Sequence, residues 1–151
     1  MKRNVALIVL YDDKKRILLQ QRTEDASRLP GYIAFFGGGI EKGETPEDAV
    51  KRETLEELNY KLINPKIVLT KQQKGKDFDG TKHVFIEKYD QNQQLILNEG
   101  RAMIWTHFDE IEHLKIINHD REIIKLLKLI LEPSKAKKTS QERQNQQNTS
   151  K

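Results

Sequence analysis

The chain has 151 residues, a length that suits one domain and is too short for two well-buried ones. Charged residues make up 33% and hydrophobic residues 36%, which is typical of a soluble globular protein. Cysteine is absent, which excludes disulfides and thiolate chemistry and favours a reducing compartment. No apolar run approaches the roughly 20 residues that span a bilayer, and Tyr11-Asp12-Asp13 interrupts the first run before any cleavage-like site. We therefore expect a cytoplasmic protein without membrane contact.

The net charge of +4 is concentrated at the C-terminal end of the chain. Residues 133–151 hold five basic residues and one acidic residue, so residues 1–132 are neutral. The same segment has no large apolar residue and is rich in Gln, Asn, Ser and Lys, so it cannot offset its ordering entropy by burial. We predict a folded domain over 1–132 and a disordered basic tail over 133–151.

The first part of the chain alternates apolar runs with turn residues. Runs at 5–10 and 16–21, joined by a polar turn, predict a β-hairpin. A short apolar run at 33–36 is followed by Gly37, Gly38 and Gly39. Because glycine weakens regular structure, these residues predict the end of that strand.

A helix is predicted next. Thr45 suits its N-cap, Pro46 its first position, and Asp48 can accept the reciprocal capping bond. The helix should end at about Leu58, where Asn59 can adopt the left-handed conformation that closes a helix.

Beyond this helix, apolar runs again alternate with polar turns. They predict strands at 66–71, 82–88, 94–97 and 103–108. Apolar residues then recur at helical spacing over 120–131, which predicts a second helix. The order of strands, helix, strands and helix indicates an α/β fold with a mixed sheet and helices on its faces.

Three glutamates of the first predicted helix share one face. Glu53, Glu56 and Glu57 stand at i, i+3 and i+4, within an arc of about 100°. Like charges at this spacing repel, and a hard cation such as Mg²⁺ or Mn²⁺ would remove the repulsion. Arg52 lies one turn before Glu56 and can hold that carboxylate in one rotamer. Taken alone, such a cluster is more often a solvated charged face.

Residues 38–60 resemble the signature of Nudix hydrolases, G-x5-E-x7-R-E-U-x-E-E-x-G-U, in which U is aliphatic. Asn59 replaces the last fixed glycine, which the left-handed helix end tolerates. Thr54 and Tyr60 replace aliphatic residues, a change of packing only. The other six fixed positions match and are Gly38, Glu44, Arg52, Glu53, Glu56 and Glu57.

The resemblance implies a Nudix-type α/β/α sandwich with a mixed β-sheet for the domain over 1–132. Within the family the chain is most similar to the MutT-like subgroup. Arg22 follows two glutamines at the end of the second predicted strand, and Glu99 precedes Trp105 by six residues. Phe36 departs from the proline that is usual before the signature in that subgroup.

Nudix hydrolases cleave nucleoside diphosphates linked to another group, by attack of a metal-activated water on phosphorus. The resemblance implies as metal ligands Glu53, Glu56, Glu57, the carbonyl of Gly38, and Glu99. It implies that Arg52 orients the glutamates and that Glu44 supports the loop or a water on the metal. Which carboxylate acts as general base is left open. Because marks of other subgroups are absent, the expected substrate is a (d)NTP, an oxidised purine nucleotide included, cleaved to nucleoside monophosphate and pyrophosphate.

The nucleotide base should lie away from the Nudix helix. The candidate base-binding residues are Arg22, Phe36, Phe78 and either Asn118 or Asp120. In MutT-like enzymes an Asn or Asp after the tryptophan contacts a purine edge, and both Asn118 and Asp120 fit that description. The alternative for these two is that one of them caps the last helix.

Two other functions stay open. One is an RNA 5′-pyrophosphohydrolase, or another nucleoside-diphosphate-X hydrolase, with the basic tail as an RNA anchor. A solubilising tail is the simpler interpretation, and charge alone does not support a nucleic-acid-binding face. The other is a non-catalytic nucleotide-binding sensor, whose usual sign is loss of a metal-binding glutamate; here all are present. The sequence predicts no oligomeric state.

Overall fold

The computed structural model describes residues 2–76, 78–98 and 102–133. The elements in chain order are β1 (Arg3–Tyr11), β2 (Arg16–Gln21), β3 (Ile33–Ala34), β4 (Phe36–Gly39), α1 (Pro46–Leu58), β5 (Lys66–Lys74), β6 (Asp79–Lys88), β7 (Ala102–His107), a 3₁₀ helix (Phe108–His113) and α2 (Asn118–Leu131). Glu99 and the predicted tail beyond Pro133 lie outside the described residues.

Strand β1 lies at the centre of a mixed sheet. It pairs in parallel with β6 along its whole length, from Arg3 opposite Gly80 to Tyr11 opposite Lys88. On its other side it pairs antiparallel with β4, and its end meets β2. Strand β2 pairs antiparallel with β3 and β7, while β5 pairs antiparallel with β6 at the sheet edge. The predicted hairpin and mixed sheet are confirmed.

The glycines after Phe36 continue a strand, so the predicted strand end was wrong. β4 runs through Gly39 and pairs with β1, with Gly37 opposite Leu7. Gly37 has a φ of +132°, and a Cβ on it would lie 2.2 Å from the carbonyl oxygen of Ala6. Glycine is needed here because only a residue without a side chain lets β4 approach β1 this closely.

Helix α1 begins and ends where the sequence predicts. The hydroxyl of Thr45 accepts a hydrogen bond from the Asp48 N–H at 3.1 Å, and the Asp48 carboxylate accepts one from the Thr45 N–H at 3.5 Å. Asn59 has a φ of +50° and donates its N–H to the carbonyl of Leu55 at 3.0 Å. These are local contacts, which explains why the short sequence pattern sufficed to predict them.

One face of α1 is buried against the sheet. Val50 and Leu58 are fully buried in a cluster with Ala6 and Ile8 of β1 and with Phe36 of β4. Each fully buried large side chain contributes about 1.5–3 kcal/mol relative to its exposed state. This burial fixes which face of α1 is turned away from the sheet, and therefore where its charged residues lie.

The predicted strand at 94–97 is not present in the described residues of that segment. The N–H groups of Ile96 and Asn98 instead donate to the carbonyls of Leu58 and Glu57 at 2.9 and 3.0 Å. Residues 94–98 therefore lie along the C-terminal end of α1. The alternating apolar residues that suggested a strand are Leu95 and Leu97, which pack against the core cluster.

The chain divides into a first unit up to Lys115 and a second unit from Ile116. Helix α2 belongs to the second unit and starts two residues before its predicted beginning. Ile123, Ile124 and Leu127 are its buried apolar residues, as the periodicity predicts. No helix in the described part of the chain is long and apolar enough to cross a membrane.

Candidate active site

Arg52 is the centre of a charged group on the exposed side of α1. Its guanidinium donates two hydrogen bonds to the carboxylate of Glu44, at 2.8 and 2.9 Å. It donates one to Glu53 at 2.9 Å and one to the carbonyl of Gly39 at 3.0 Å. These charge-assisted bonds fix the loop before α1, the end of β4 and the helix itself relative to one another.

Glu44 connects the loop to the helix. Besides the bonds from Arg52, its carboxylate accepts one from the N–H of Glu41 at 2.8 Å. The hydrogen bonds from Arg52 and then from Glu41 lower the pKa of Glu44 from 4.5 to about 2. The pKa of Arg52 is raised above its ordinary value, chiefly by its hydrogen bonds to Glu44. Of the two roles expected for Glu44, these contacts favour support of the loop.

Glu53 and Glu57 both lie against the glycine strand β4. A Cβ on Gly38 would lie 2.5–2.7 Å from the atoms of the Glu53 carboxylate, so that carboxylate packs directly on the backbone of Gly38. The N–H of Gly37 donates to Oε1 of Glu57 at 3.2 Å. Two carboxylates of α1 therefore reach successive residues of the same strand.

Glu56 is the most exposed of the three signature glutamates. Its side chain is 60% exposed, and its carboxylate lies 3.5 Å from Nη1 of Arg52. Across the described ranges, no three acidic or histidine side chains converge on one point as metal ligands. The reason lies in the contacts above, since Glu53 and Glu56 are directed to Arg52 while Glu57 is directed to Gly37.

The residues nevertheless fit a hard divalent cation. Carboxylate and backbone carbonyl oxygens are the ligands that Mg²⁺ and Mn²⁺ prefer, and the carboxylates of Glu53 and Glu57 lie against Gly38 and Gly37 of the same strand. A side chain at Gly38 would fill the space in which Glu53 meets the strand. Glu99, the remaining predicted ligand, lies outside the described residues.

The structure differs in its support for the predicted base-binding residues. Phe36 is 1% exposed in the core cluster, which corrects its assignment from base contact to packing, because a ring buried this deeply presents no face to a ligand. Phe78 is also buried, and Nζ of Lys82 lies 4.8 Å from its ring centre. Nε of Arg22 donates to the carbonyl of Arg28 at 2.6 Å.

Asn118 and Asp120 lie in the first turn of α2. The N-cap of this helix is Ile117, whose side chain makes no capping bond, so the alternative that Asn118 or Asp120 is the cap was wrong. Asp120 is 6% exposed and stands where an acidic residue is favourable to the helix dipole. A contact of either residue with the base stays a prediction.

Sequence reasoning missed several groups that hold Arg52 and the glutamates of α1. They are the N–H of Gly37, the carbonyl of Gly39 and the side chain of Asn98, whose amide donates to the carbonyl of Glu56 at 2.7 Å. The three glycines are conspicuous in the sequence, but their partners depend on the pairing of β4 with β1. Asn98 carries no motif that could have indicated its contact.

Residues 1–127 match the NUDIX domain family, so the chain belongs to the Nudix family. It is 40% identical over 67 residues to the nucleoside triphosphatase NudI of Escherichia fergusonii, and 35% identical over 63 residues to the NudI of Escherichia coli. These matches cover 44% and 42% of this chain and 48% and 45% of the relatives. The chain thus spans about half the length of the curated relatives that it matches.

Solved structures share the fold at low sequence identity. The MutT protein from Methanosarcina mazei has a TM-score of 0.72 at 18% identity and covers 82% of this chain and 91% of its own. The NUDIX domain of Shewanella oneidensis NrtR, solved in complex with ADP ribose, has a TM-score of 0.70 at 14% identity and covers 87% and 89%. The predicted Nudix-type α/β fold with a mixed sheet is confirmed.

Proposed function

We propose that this protein is a metal-dependent Nudix pyrophosphohydrolase that cleaves a (d)NTP to nucleoside monophosphate and pyrophosphate. The observation that carries the proposal is the Arg52 network, which ties Glu44 and Glu53 together while Glu53 and Glu57 lie against the β4 glycines. Similarity to the NudI nucleoside triphosphatases supports a triphosphate as the substrate class. The absence of cysteine supports a cytoplasmic location.

The chemistry divides between a cation and the residues of the chain. Mg²⁺ or Mn²⁺, held by Glu53, Glu56, Glu57, the Gly38 carbonyl and Glu99, would neutralise phosphate charge and acidify water. Arg52 limits the rotamers of Glu53 and Glu56 by its contacts with them. Glu44, ionised far below neutral pH, fixes Arg52 in turn. Water adds to one phosphorus, the anhydride P–O bond breaks, and a carboxylate of this cluster accepts the proton.

A substrate panel tests the proposal. We would measure release of phosphate or pyrophosphate, with Mg²⁺ and with Mn²⁺, from the dNTPs, the NTPs, 8-oxo-dGTP, ADP-ribose, diadenosine tetraphosphate and a 5′-triphosphorylated RNA. We expect one triphosphate to be a strong substrate, which would direct attention to Arg22, Asn118 and Asp120 as base-binding residues. No turnover across the panel, with nucleotide binding retained, would contradict the proposal and favour the non-catalytic sensor.

The basic tail supports a second candidate, an RNA 5′-pyrophosphohydrolase. Five basic residues against one acidic residue in 133–151 could bind the phosphates next to the reacting end. This candidate predicts RNA binding that weakens with salt and is lost when the chain is truncated after Leu131. Unchanged RNA affinity in the truncated protein would eliminate it.

A further inference from the structure

A ten-residue segment, 89–98, leads from the end of β6 along the C-terminal end of α1; we call it the strap. The side chain of Gln93 binds the backbone of Lys61 twice, accepting from its N–H and donating to its carbonyl, both at 2.9 Å. Further along, the strap reaches the helix itself through Ile96 and Asn98. The strap therefore has one attachment beyond the helix and another on its last turn.

The last four carbonyls of a helix have no partner within the helix. In α1 all four accept a hydrogen bond, one from the cap residue of the helix and three from the strap. That of Leu55 accepts the N–H of Asn59, that of Glu56 the Asn98 amide, that of Glu57 the Asn98 N–H, and that of Leu58 the Ile96 N–H. Asn98 alone thus supplies two of the four donors, and both go to residues of the Nudix signature.

This end of α1 is electrostatically unfavourable without such donors. The C-terminal end of a helix carries partial negative charge, and Glu56 and Glu57 add two carboxylates in the same turn. The last turn of α1 contains no basic residue that could compensate. Lysine and arginine side chains often donate hydrogen bonds to the last carbonyls of a helix. In α1 the neutral N–H groups of Asn98 donate to the carbonyls of Glu56 and Glu57 instead.

We infer that Asn98 is a positioning residue, which holds the backbone of Glu56 and Glu57 in the arrangement that their carboxylates need to bind a divalent cation. This inference rests on the proposed function. Asn98 touches neither substrate nor cation in this role; it acts through the last turn of α1. Because Asn98 is exposed and water can replace part of its side-chain bond, the effect of losing it should be moderate.

The test compares Asn98→Ala with Gln93→Ala in the full chain. Each variant removes hydrogen bonds between the strap and the backbone, but only Asn98→Ala removes one that ends on a signature glutamate. We expect Asn98→Ala to weaken Mn²⁺ binding, measured by electron paramagnetic resonance of the free ion, about two- to fivefold. We expect kcat to fall by a similar factor with KM for the nucleotide unchanged. Gln93→Ala should change neither quantity, although its Tm falls as much or more.

Two outcomes would overturn the inference, and a third would contradict the proposed function instead. Mn²⁺ affinity of Asn98→Ala within error of wild type would overturn the inference. So would equal losses in both variants that follow their losses of Tm, since that result describes a structural role only. Wild-type protein that binds Mn²⁺ without hydrolysing any triphosphate would contradict the proposed function, while the ratio of Mn²⁺ affinities would still test Asn98.

Discussion

Arg52 explains how acidic residues coexist on the exposed face of α1. Its guanidinium contacts Glu44, Glu53 and Glu56 and lies 3.8 Å from Glu41. In the sequence analysis, a divalent cation was one way to remove the repulsion among the glutamates, and a solvated charged face was the alternative. The structure shows that part of that repulsion is offset within the protein, by a group that also sets the direction of two of the carboxylates.

Replacement of Glu57 should reduce hydrolysis without unfolding the protein. In Glu57→Gln the side-chain oxygen can still accept the N–H of Gly37, so the fold should be retained. The negative charge that a divalent cation needs is lost, and we expect triphosphate hydrolysis to fall about 100-fold or more. Initial rates and the thermal transition would be measured on the same preparation. Near-normal activity in this variant would remove Glu57 from the site.

Glu44 should make the stability of the protein depend on acidic pH. Its pKa of about 2 in the native state lies below the ordinary value of 4.5, so the ionised group stabilises the fold above pH 4.5. That contribution decreases as the pH falls from 4.5 towards 2. Glu44→Gln should therefore be less stable than wild type at pH 7, and the difference should shrink at pH 3, as measured by urea unfolding.

Glu47→Gln is the control for this pH dependence. The Glu47 carboxylate makes an exposed ion pair with Lys51 at 3.5 Å, a kind of contact that contributes little to stability. Its replacement should have little effect at either pH. A difference between wild type and Glu44→Gln that stays constant from pH 7 to pH 3 would show that the Arg52 bonds do not stabilise the carboxylate.

At the scale of elements, β4 makes two neighbouring glycines respond differently to the same change. Gly37→Ala places a Cβ 2.2 Å from a backbone oxygen at a φ of +132°, and should lower the free energy of unfolding by about 1–3 kcal/mol or more. Gly38→Ala places its Cβ against the end of the Glu53 side chain, which can move aside. It should keep most of its stability while losing Mn²⁺ affinity and activity.

Urea unfolding and Mn²⁺ binding of the two alanine variants check this difference. Gly39→Ala is the matched control, because the nearest atoms to its added Cβ lie at 3.6 Å and belong to the side chain of Arg3. If Gly38→Ala bound Mn²⁺ as tightly as wild type, the contact between Gly38 and Glu53 would have no part in holding a cation.

The elements differ in how far the sequence determines them. Helix α1 could be predicted to its last residue because its caps, Thr45 and Asn59, act within a few positions. Strand β4 and the segment 94–98 could not, because their partners are distant in sequence. A run of glycines usually predicts the end of a strand. The exception is a strand that lies so close to a second strand that side chains do not fit between them, and the neighbouring sequence does not show whether such a strand is present.

The candidate site shows the same limit. The residue types and spacing of the signature sufficed to select Arg52, Glu44 and the three helix glutamates. The contacts that orient them come from the Gly37 N–H, the Gly39 carbonyl and Asn98. Backbone groups are the same in every residue, so their use in a site can be recognised only after the strands are placed.

At the scale of the whole molecule, binding of a divalent cation should raise the free energy of unfolding. A ligand that binds the native state alone raises the free energy of unfolding, by about 2.7 kcal/mol at a hundred times its Kd. We expect Mn²⁺ to raise the Tm of wild-type protein, EDTA to reverse the increase, and Glu57→Gln to show little of it. An unchanged Tm at saturating Mn²⁺ would mean that the cation binds only together with nucleotide or not at all.

The edge position of β5 has a consequence for the behaviour of the protein at high concentration. Among the strands that the structure describes, β5 is the nine-residue strand at the end of the sheet order, and sheet edges are where cross-β aggregates can grow. Lys66, Lys71 and Lys74 are spread along it, and its pairing with β6 is irregular between Ile67 and Leu69. Pairing of two such edges would bring ammonium groups together, so we expect these lysines to oppose extension of the sheet into a neighbouring molecule.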